Sequence, residues 1–257
     1  MIIVKSAREI ELMKKAGEVV AKVFDECAKL MKPGVSTYEI NAKAEQVITS
    51  HGCTGPCKGY YDYPAMTCVS LNDTLIHGIP SKKIILKEGD IVSLDVVACY
   101  QGYCADATRT YAIGIINERA KRLMEVTKEA FFNGIAQAKP GNHLGDVQSA
   151  IQKTVESNGY NVARDFTGHG IGKGMHEDPS IPNFGKEGSG PLLTKGMTLA
   201  IEPMVLEGRK DTRILGDGWT VKSRDGKLTC HYENTIVITE NGMEIITLTE
   251  EEKKLYV

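Results

Sequence analysis

A spacing of 107 residues constrains this chain more than any single motif. Lys32-Pro33-Gly34 recurs as Lys139-Pro140-Gly141, Ser50 and Gly52 recur as Ser157 and Gly159, and Gly89 recurs as Gly196. Each Lys-Pro-Gly stands between a long amphipathic stretch and a shorter one. Ser6 with Glu9 is a capping box, and Leu12, Met13, Ala16, Val19, Val20, Val23, Phe24 and Cys27 follow at helical spacing, predicting a helix from about Ala7 to Met31. Ser36 with Glu39 caps a second, with Ile40, Ala44, Val47 and Ile48 on one face and a stop near Gly52. The same pair is expected again from about Asn117 to Ala138, and then with Val147, Ile151 and Val155 up to Gly159. Lys-Pro-Gly alone is an ordinary helix stop. Because helix order and offset agree, an internal duplication is expected, with halves of roughly 7–112 and 117–248 inside one domain spanning 1–257.

The offset also places Leu94 on Ile201 and Asp95 on Glu202, each acid inside an apolar run, Ile91 to Cys99 and Leu199 to Pro203. Runs of this kind read as buried strands. A return strand after Gln101-Gly102 carries Asp106, and His231-Tyr232-Glu233-Asn234-Thr235 resembles it after about 20 inserted residues. A hairpin centred between Tyr100 and Gln101 would set Asp95 directly opposite Asp106, about 5 Å away. Two buried anions that close need a cation between them, unless one is protonated or the register slips. Packed about a pseudo-two-fold axis, Asp95, Asp106, Glu202 and Glu233 would converge. Four negative charges are balanced by two divalent cations sharing carboxylates, with an imidazole completing the set.

Three of the six histidines occupy unusual settings: His77 in Ile76-His77-Gly78-Ile79-Pro80, His169 between Gly168 and Gly170, and His176 before Glu177. The flanking glycines would let the backbone near His169 approach the site closely. His51, His143 and His231 are assigned structural hydrogen bonds. Lys173 is followed by Gly174 rather than Ser or Thr, so no phosphate loop is formed, and no His-Glu-x-x-His zinc-protease signature occurs.

Composition removes other classes. The net charge is −2 with no basic run, which disfavours nucleic acid as the main partner. No apolar stretch is long enough for a membrane span, and the N-terminus leads into a charged helix, so a cytoplasmic protein without membrane contact is expected. Seven cysteines without a Cys-x-x-Cys pair predict reduced thiols, and Cys53, Cys57 and Cys68 lack zinc-knuckle spacing.

Asp95, the eleven-residue step to Asp106, Gly168-His169-Gly170-Ile171-Gly172, Ile201-Glu202-Pro203 and Glu233-Asn234-Thr235 together resemble the metal-site motifs of the type I methionine aminopeptidases. The resemblance spans nearly the whole chain. It implies an α+β pita-bread fold: duplicated halves about a pseudo-two-fold, a central curved antiparallel sheet and helices on its outer face. It also implies two divalent metals (Fe, Mn, Co or Zn) on Asp95, Asp106, His169, Glu202 and Glu233, with Asp106 and Glu233 bridging. His77 and His176 fall at substrate-contacting positions, and Cys57, Tyr60, Tyr63, Cys68 and Trp219 would form the first-residue pocket; the alternative for this cluster is core packing. Met175 stands where some relatives carry Phe.

The activity implied is removal of an N-terminal methionine from nascent chains whose second residue is small. A water bridging the metals would attack as hydroxide, Glu202 would shuttle its proton, His176 would hold the oxyanion and His77 would steady the peptide. A monomer that associates transiently with the ribosome is expected. Prolidases and Xaa-Pro aminopeptidases share the ligands but carry an extra N-terminal domain, and a non-enzymatic peptide-binding module usually lacks some of them.

Overall fold

The structure, a computed structural model, describes residues 1–256. Helix α1, Ala7–Ala28, and helix α2, Thr37–Ser50, both start on complete capping boxes, Ser6 with Glu9 and Ser36 with Glu39. Helix α3, Glu118–Ile135, and helix α4, Leu144–Ser157, form the second pair, and the short helix α5, Glu250–Tyr256, follows the last strand. Both long helices end about three residues before the sequence reading placed their ends. The chain tightens there into three-residue turns, with Leu30 N–H on Cys27 C=O (2.9 Å) and Ala138 N–H on Ile135 C=O (2.8 Å). No helix among the described residues is long and apolar enough to cross a membrane.

The links beyond the helices match at the same 107-residue offset. Gly34 N–H bonds Leu86 C=O (2.9 Å) and Gly141 N–H bonds Leu193 C=O (3.3 Å). Leu86 N–H returns to Val35 C=O, and Leu193 N–H to Asn142 C=O, both at 2.8 Å. Gly34 and Gly141 hold φ of 92° and 90°, a left-handed turn that a side chain would strain.

One eight-stranded antiparallel sheet runs through the molecule. Its path is Cys68–Leu71, Ile91–Tyr100, Tyr103–Ala112, Glu233–Ile238, Thr198–Ile201, Thr167–Gly170 and Glu177–Pro182, with Met243–Ile245 also paired to Glu233–Ile238. Leu94, Val96 and Ala98 point from one face into an apolar cluster with Met13, Ala16, Val20 and Phe24 of α1, while Asp95 and Val97 alternate to the other face. Ala130, Phe131 and Ile135 of α3 and Val147 and Ile151 of α4 form a second cluster with Leu199, Ile201 and Ile236. Two three-stranded sheets flank this one: Thr212–Ile214, Val221–Ser223 and Thr74–Ile76, and Thr229–His231, Met204–Leu206 and Asn161–Val162. The α+β antiparallel architecture is the one expected.

Two expectations are corrected in the first hairpin. Gln101 and Gly102 both take positive φ (48° and 83°), so the turn centres between them and Tyr100 pairs with Tyr103. Asp95 therefore faces Thr108 and Asp106 faces Val97: the two acids share a face diagonally rather than directly opposed. The same register sets Cys99 against Cys104 with Cα atoms 3.9 Å apart, and their sulfurs are bonded. Five cysteines, not seven, are free thiols.

Arg109 ties the sheet to α5. Only 6% exposed, its guanidinium donates to Glu233 C=O (2.6 Å), Asn234 Oδ1 (2.7 Å) and the Glu252 carboxylate (2.8 and 2.9 Å). Arg109→Met removes one side of a buried, hydrogen-bonded pair, and a loss of about 3–5 kcal/mol is expected in urea unfolding; a loss below about 1 kcal/mol would show that the pair does not hold this junction.

Candidate active site

Pairing places a row of side chains across four strands: Cys68 opposite Asp95, Asp95 opposite Thr108, Thr108 opposite Glu233. Asp106 lies one pair further along the same face. Thr108 Oγ1 donates to Glu233 Oε2 (2.9 Å), and Thr235 Oγ1 donates to the Asp106 carbonyl (2.8 Å), so two threonines fix the acid-bearing backbones. Glu202 follows the Thr198–Ile201 strand, its carbonyl accepting from Asn183 Nδ2 (3.0 Å). His169 lies in the next strand, opposite Ala200. Gly168 and Gly170, expected to let the backbone near His169 approach the site closely, make room for neighbouring backbone: a Cβ there would lie 2.5 Å from Ala200 O and 2.0 Å from Asp178 O.

His169 Nδ1 donates to the Gly170 carbonyl (2.9 Å), which fixes the tautomer and leaves the Nε2 lone pair facing Glu202 Oε1 (3.6 Å) and Asp106 Oδ2 (3.8 Å). A lone pair aimed at two carboxylate oxygens is unfavourable with nothing between them. Ligand atoms of Asp106, His169 and Glu233 lie within 4.8 Å of one another, and so do those of Glu202, His231 and Glu233. Asp106 Oδ1, Glu233 Oε1 and His231 Nε2 are buried without a hydrogen-bond partner among the described residues. Burial and the neighbouring carboxylates push Asp106, Glu202 and Glu233 well above the ordinary carboxyl range, and burial raises Asp95. Burial pushes His169 down to about 3 and His77 and His231 to about 4. Lysine and arginine are absent from the residues lining the cavity above these acids. The donor set, four carboxyls with buried imidazoles and no internal cation, fits hard or borderline divalent metal ions.

That cavity measures about 690 Å³ and is lined by all five acids and imidazoles of the expected metal set, by His77 and His176, and by Cys57, Tyr60, Tyr63, Cys68 and Trp219. His176 stands at the exposed side, its ring edge-on to His169 with centroids 4.4 Å apart and Nδ1 3.2 Å from the Tyr60 hydroxyl. Tyr63 is buried, donating to the Thr67 and Gly78 carbonyls at 3.2 Å, with its ring edge-on to Trp219 at 5.0 Å. Cys57 Sγ lies 3.9 Å from Met175 Sδ. Trp219 does sit at a hairpin tip, where Asp217 accepts from its N–H (2.9 Å), yet the small sheet it caps also contains Thr74–Ile76 and so brings it to His77 (5.8 Å). His77 holds a left-handed φ of 56°, and Gly78 beyond it has no room for a side chain, since a Cβ would lie 2.4 Å from Val69 O.

The sequence reading missed two residues. Phe166 lines the cavity and meets His77 edge-on at 6.2 Å; nothing in its local sequence marks it. His231, assigned a structural hydrogen bond, instead points Nε2 at Glu202 Oε2 (3.4 Å) and Glu233 Oε2 (3.8 Å). Its place two residues before Glu233, on one strand face, was the available signal. His51 and His143 do act structurally, bonding the Val47 and Gly190 carbonyls.

The profile of Metallopeptidase family M24 matches residues 11–240. The chain is 49% identical to a methionine aminopeptidase of Clostridium perfringens, over 96% of this chain and 99% of that protein. The crystal structure of methionine aminopeptidase from Thermotoga maritima superposes with a TM-score of 0.95 at 48% identity, covering 96% of this chain and all of that one. Prolidase from Pyrococcus furiosus matches at TM-score 0.79 and 28% identity, but this chain covers 66% of it. With that profile matched over most of its length and relatives this similar along nearly the whole chain, the chain belongs to the M24 metallopeptidases.

Proposed function

We propose that the protein is a methionine aminopeptidase that removes N-terminal methionine from peptides and nascent chains when the second residue is small. The observation that carries this reading is the convergence of the Asp95, Asp106, Glu202 and Glu233 carboxyls and His169 on the floor of one cavity whose wall is built from Cys57, Tyr60, Tyr63, Cys68, Met175 and Trp219. The names of the relatives support the substrate, and their near-complete coverage favours this activity over the prolidase one.

Asp95, Asp106, His169, Glu202 and Glu233 would hold two divalent ions. When bound, those ions supply Lewis-acid polarisation of the scissile carbonyl and lower the pKa of the attacking water. The protein's own groups do the rest. The thioether side chain of the substrate methionine packs against Cys57, Tyr63 and Trp219, and the pocket's apolar wall orients the peptide bond over the acids. His176, beside His169 at the exposed side, donates to the carbonyl oxygen as negative charge develops there. Glu202 takes a proton from the attacking water and delivers it to the leaving amine. His77, fixed by its strained backbone and by Trp219, steadies the peptide beyond the scissile bond. The matched links at Gly34 and Gly141 support reading residues 7–112 and 117–248 as duplicated halves of one catalytic domain. Nascent-chain substrates suit a cytoplasmic monomer working near the ribosome.

Metal-stripped protein given Mn, Fe or Co should release methionine from Met-Ala-Ser and leave Met-Leu-Ser intact; cleavage of neither, with metal bound and the fold intact, would refute the reading. His77→Ala should lower turnover at least about tenfold with metal content unchanged, and normal turnover would remove His77 from the mechanism.

The raised carboxyls also set a pH dependence. They hold protons in the folded state that the unfolded chain releases, so the stability they contribute is full below the ordinary carboxyl range and drains as pH rises through their folded values. The depressed histidines act the other way, but only below their ordinary value of 6.5. Metal-stripped protein should therefore melt lower at about pH 8.5 than at about pH 6.5, and divalent metal should abolish the difference. A melting temperature independent of pH in that window would contradict the electrostatics described above.

A further inference from the structure

The five expected ligands include one imidazole, and the structure brings a second to the same carboxylates from the opposite side. His231 is 2% exposed and ends the Thr229–His231 strand, which pairs His231 with Met204, two residues beyond Glu202. Its backbone carbonyl accepts from Thr110 Oγ1 (2.7 Å), so the ring is held in place by the sheet and not by its own nitrogens. His231 Nε2 lies 3.4 Å from Glu202 Oε2 and 3.8 Å from Glu233 Oε2. His169 Nε2 stands in the same relation to its two acids, 3.6 Å from Glu202 Oε1 and 3.8 Å from Asp106 Oδ2. Glu202 thus presents one oxygen to each imidazole.

These separations exceed the roughly 2.7–3.2 Å of an N–H···O hydrogen bond, and Nε2 of His231 has no partner among the described residues. They match the edge between two ligands on one cation: bonds of roughly 2.0–2.2 Å put ligand atoms about 3 to 4 Å apart. Glu202, His231 and Glu233 already satisfy that closeness as a group. We propose that His231 is a sixth protein ligand of the metal centre, adding a second imidazole nitrogen on the side of Glu202 and Glu233. This inference rests on the metal-centre reading above. Its consequence is a donor set richer in nitrogen than one with His169 alone, which moves preference toward Zn, Co and Fe and away from Mn.

The test counts zinc-ligated imidazoles in the wild-type, zinc-loaded protein by 15N NMR of its six histidines. A nitrogen bound to zinc carries no proton and its resonance moves when zinc is added. Two ligated imidazoles are expected. One ligated imidazole, with Nε2 of the other buried ring still protonated, overturns the role of His231 and leaves the metal centre standing; none overturns both. His231→Gln should also weaken zinc binding at least about tenfold while changing manganese binding less. Zinc affinity within about twofold of wild type would contradict ligation.

Discussion

Four carboxyls, three of them buried and Asp95 half-buried, share one cavity with no lysine or arginine among its lining residues, and the rest of the structure is arranged around that unbalanced charge. An apolar protein interior does not tolerate such a cluster: burial and mutual repulsion drive Asp106, Glu202 and Glu233 toward the protonated form. The cluster persists because each acid is carried on a strand whose register is set elsewhere. Thr108 and Thr235 tie Glu233 and Asp106 to adjoining strands, and Arg109 grips the Glu233 carbonyl from the far side of the sheet. The Arg109 guanidinium is thus spent on backbone, on Asn234 and on Glu252, and makes no hydrogen bond to the cavity's carboxyls. Neutralisation is left to whatever the cavity binds.

The fold supplies rigidity where the chemistry needs it. Apolar alternation on the Ile91–Tyr100 strand sends Leu94, Val96 and Ala98 to α1 and leaves Asp95 on the cavity side. The pairing of Glu233–Ile238 with both Tyr103–Ala112 and Thr198–Ile201 joins the two acid-bearing regions within one continuous sheet. The pocket wall, by contrast, comes from turns and short strands. His77 and Trp219 meet only because Thr74–Ile76 and Val221–Ser223, far apart in the chain, pair in a small sheet of their own.

What the sequence reveals follows the same division. Helix caps, the Lys-Pro-Gly stops and the acids in apolar runs are local signals, and the helices, the main strands and the gathering of Asp95, Asp106, Glu202 and Glu233 were legible from them. The diagonal placement of Asp95 and Asp106 was not, because one residue in the turn decides it and Gln101 gives no hint that it adopts positive φ. The Cys99–Cys104 bond follows from that same register and was missed with it. His231 lay two residues from Glu233, but an isolated histidine in a strand reads as structural until its unpartnered nitrogen is seen. Phe166 reaches the cavity through tertiary packing alone. Membership in the pocket of Cys57, Tyr63 and Cys68 came from resemblance, since buried cysteines and tyrosines carry no periodic signal that separates a pocket from a core.

Anomalous diffraction from crystals of the metal-stripped protein soaked in manganese or zinc tests the central claim most directly. Two peaks are expected among Asp95, Asp106, Glu202 and Glu233, with His169 against one of them. A cavity floor without a peak, in crystals whose soak visibly loads other sites, would mean that these acids are neutralised by protons and would contradict the account.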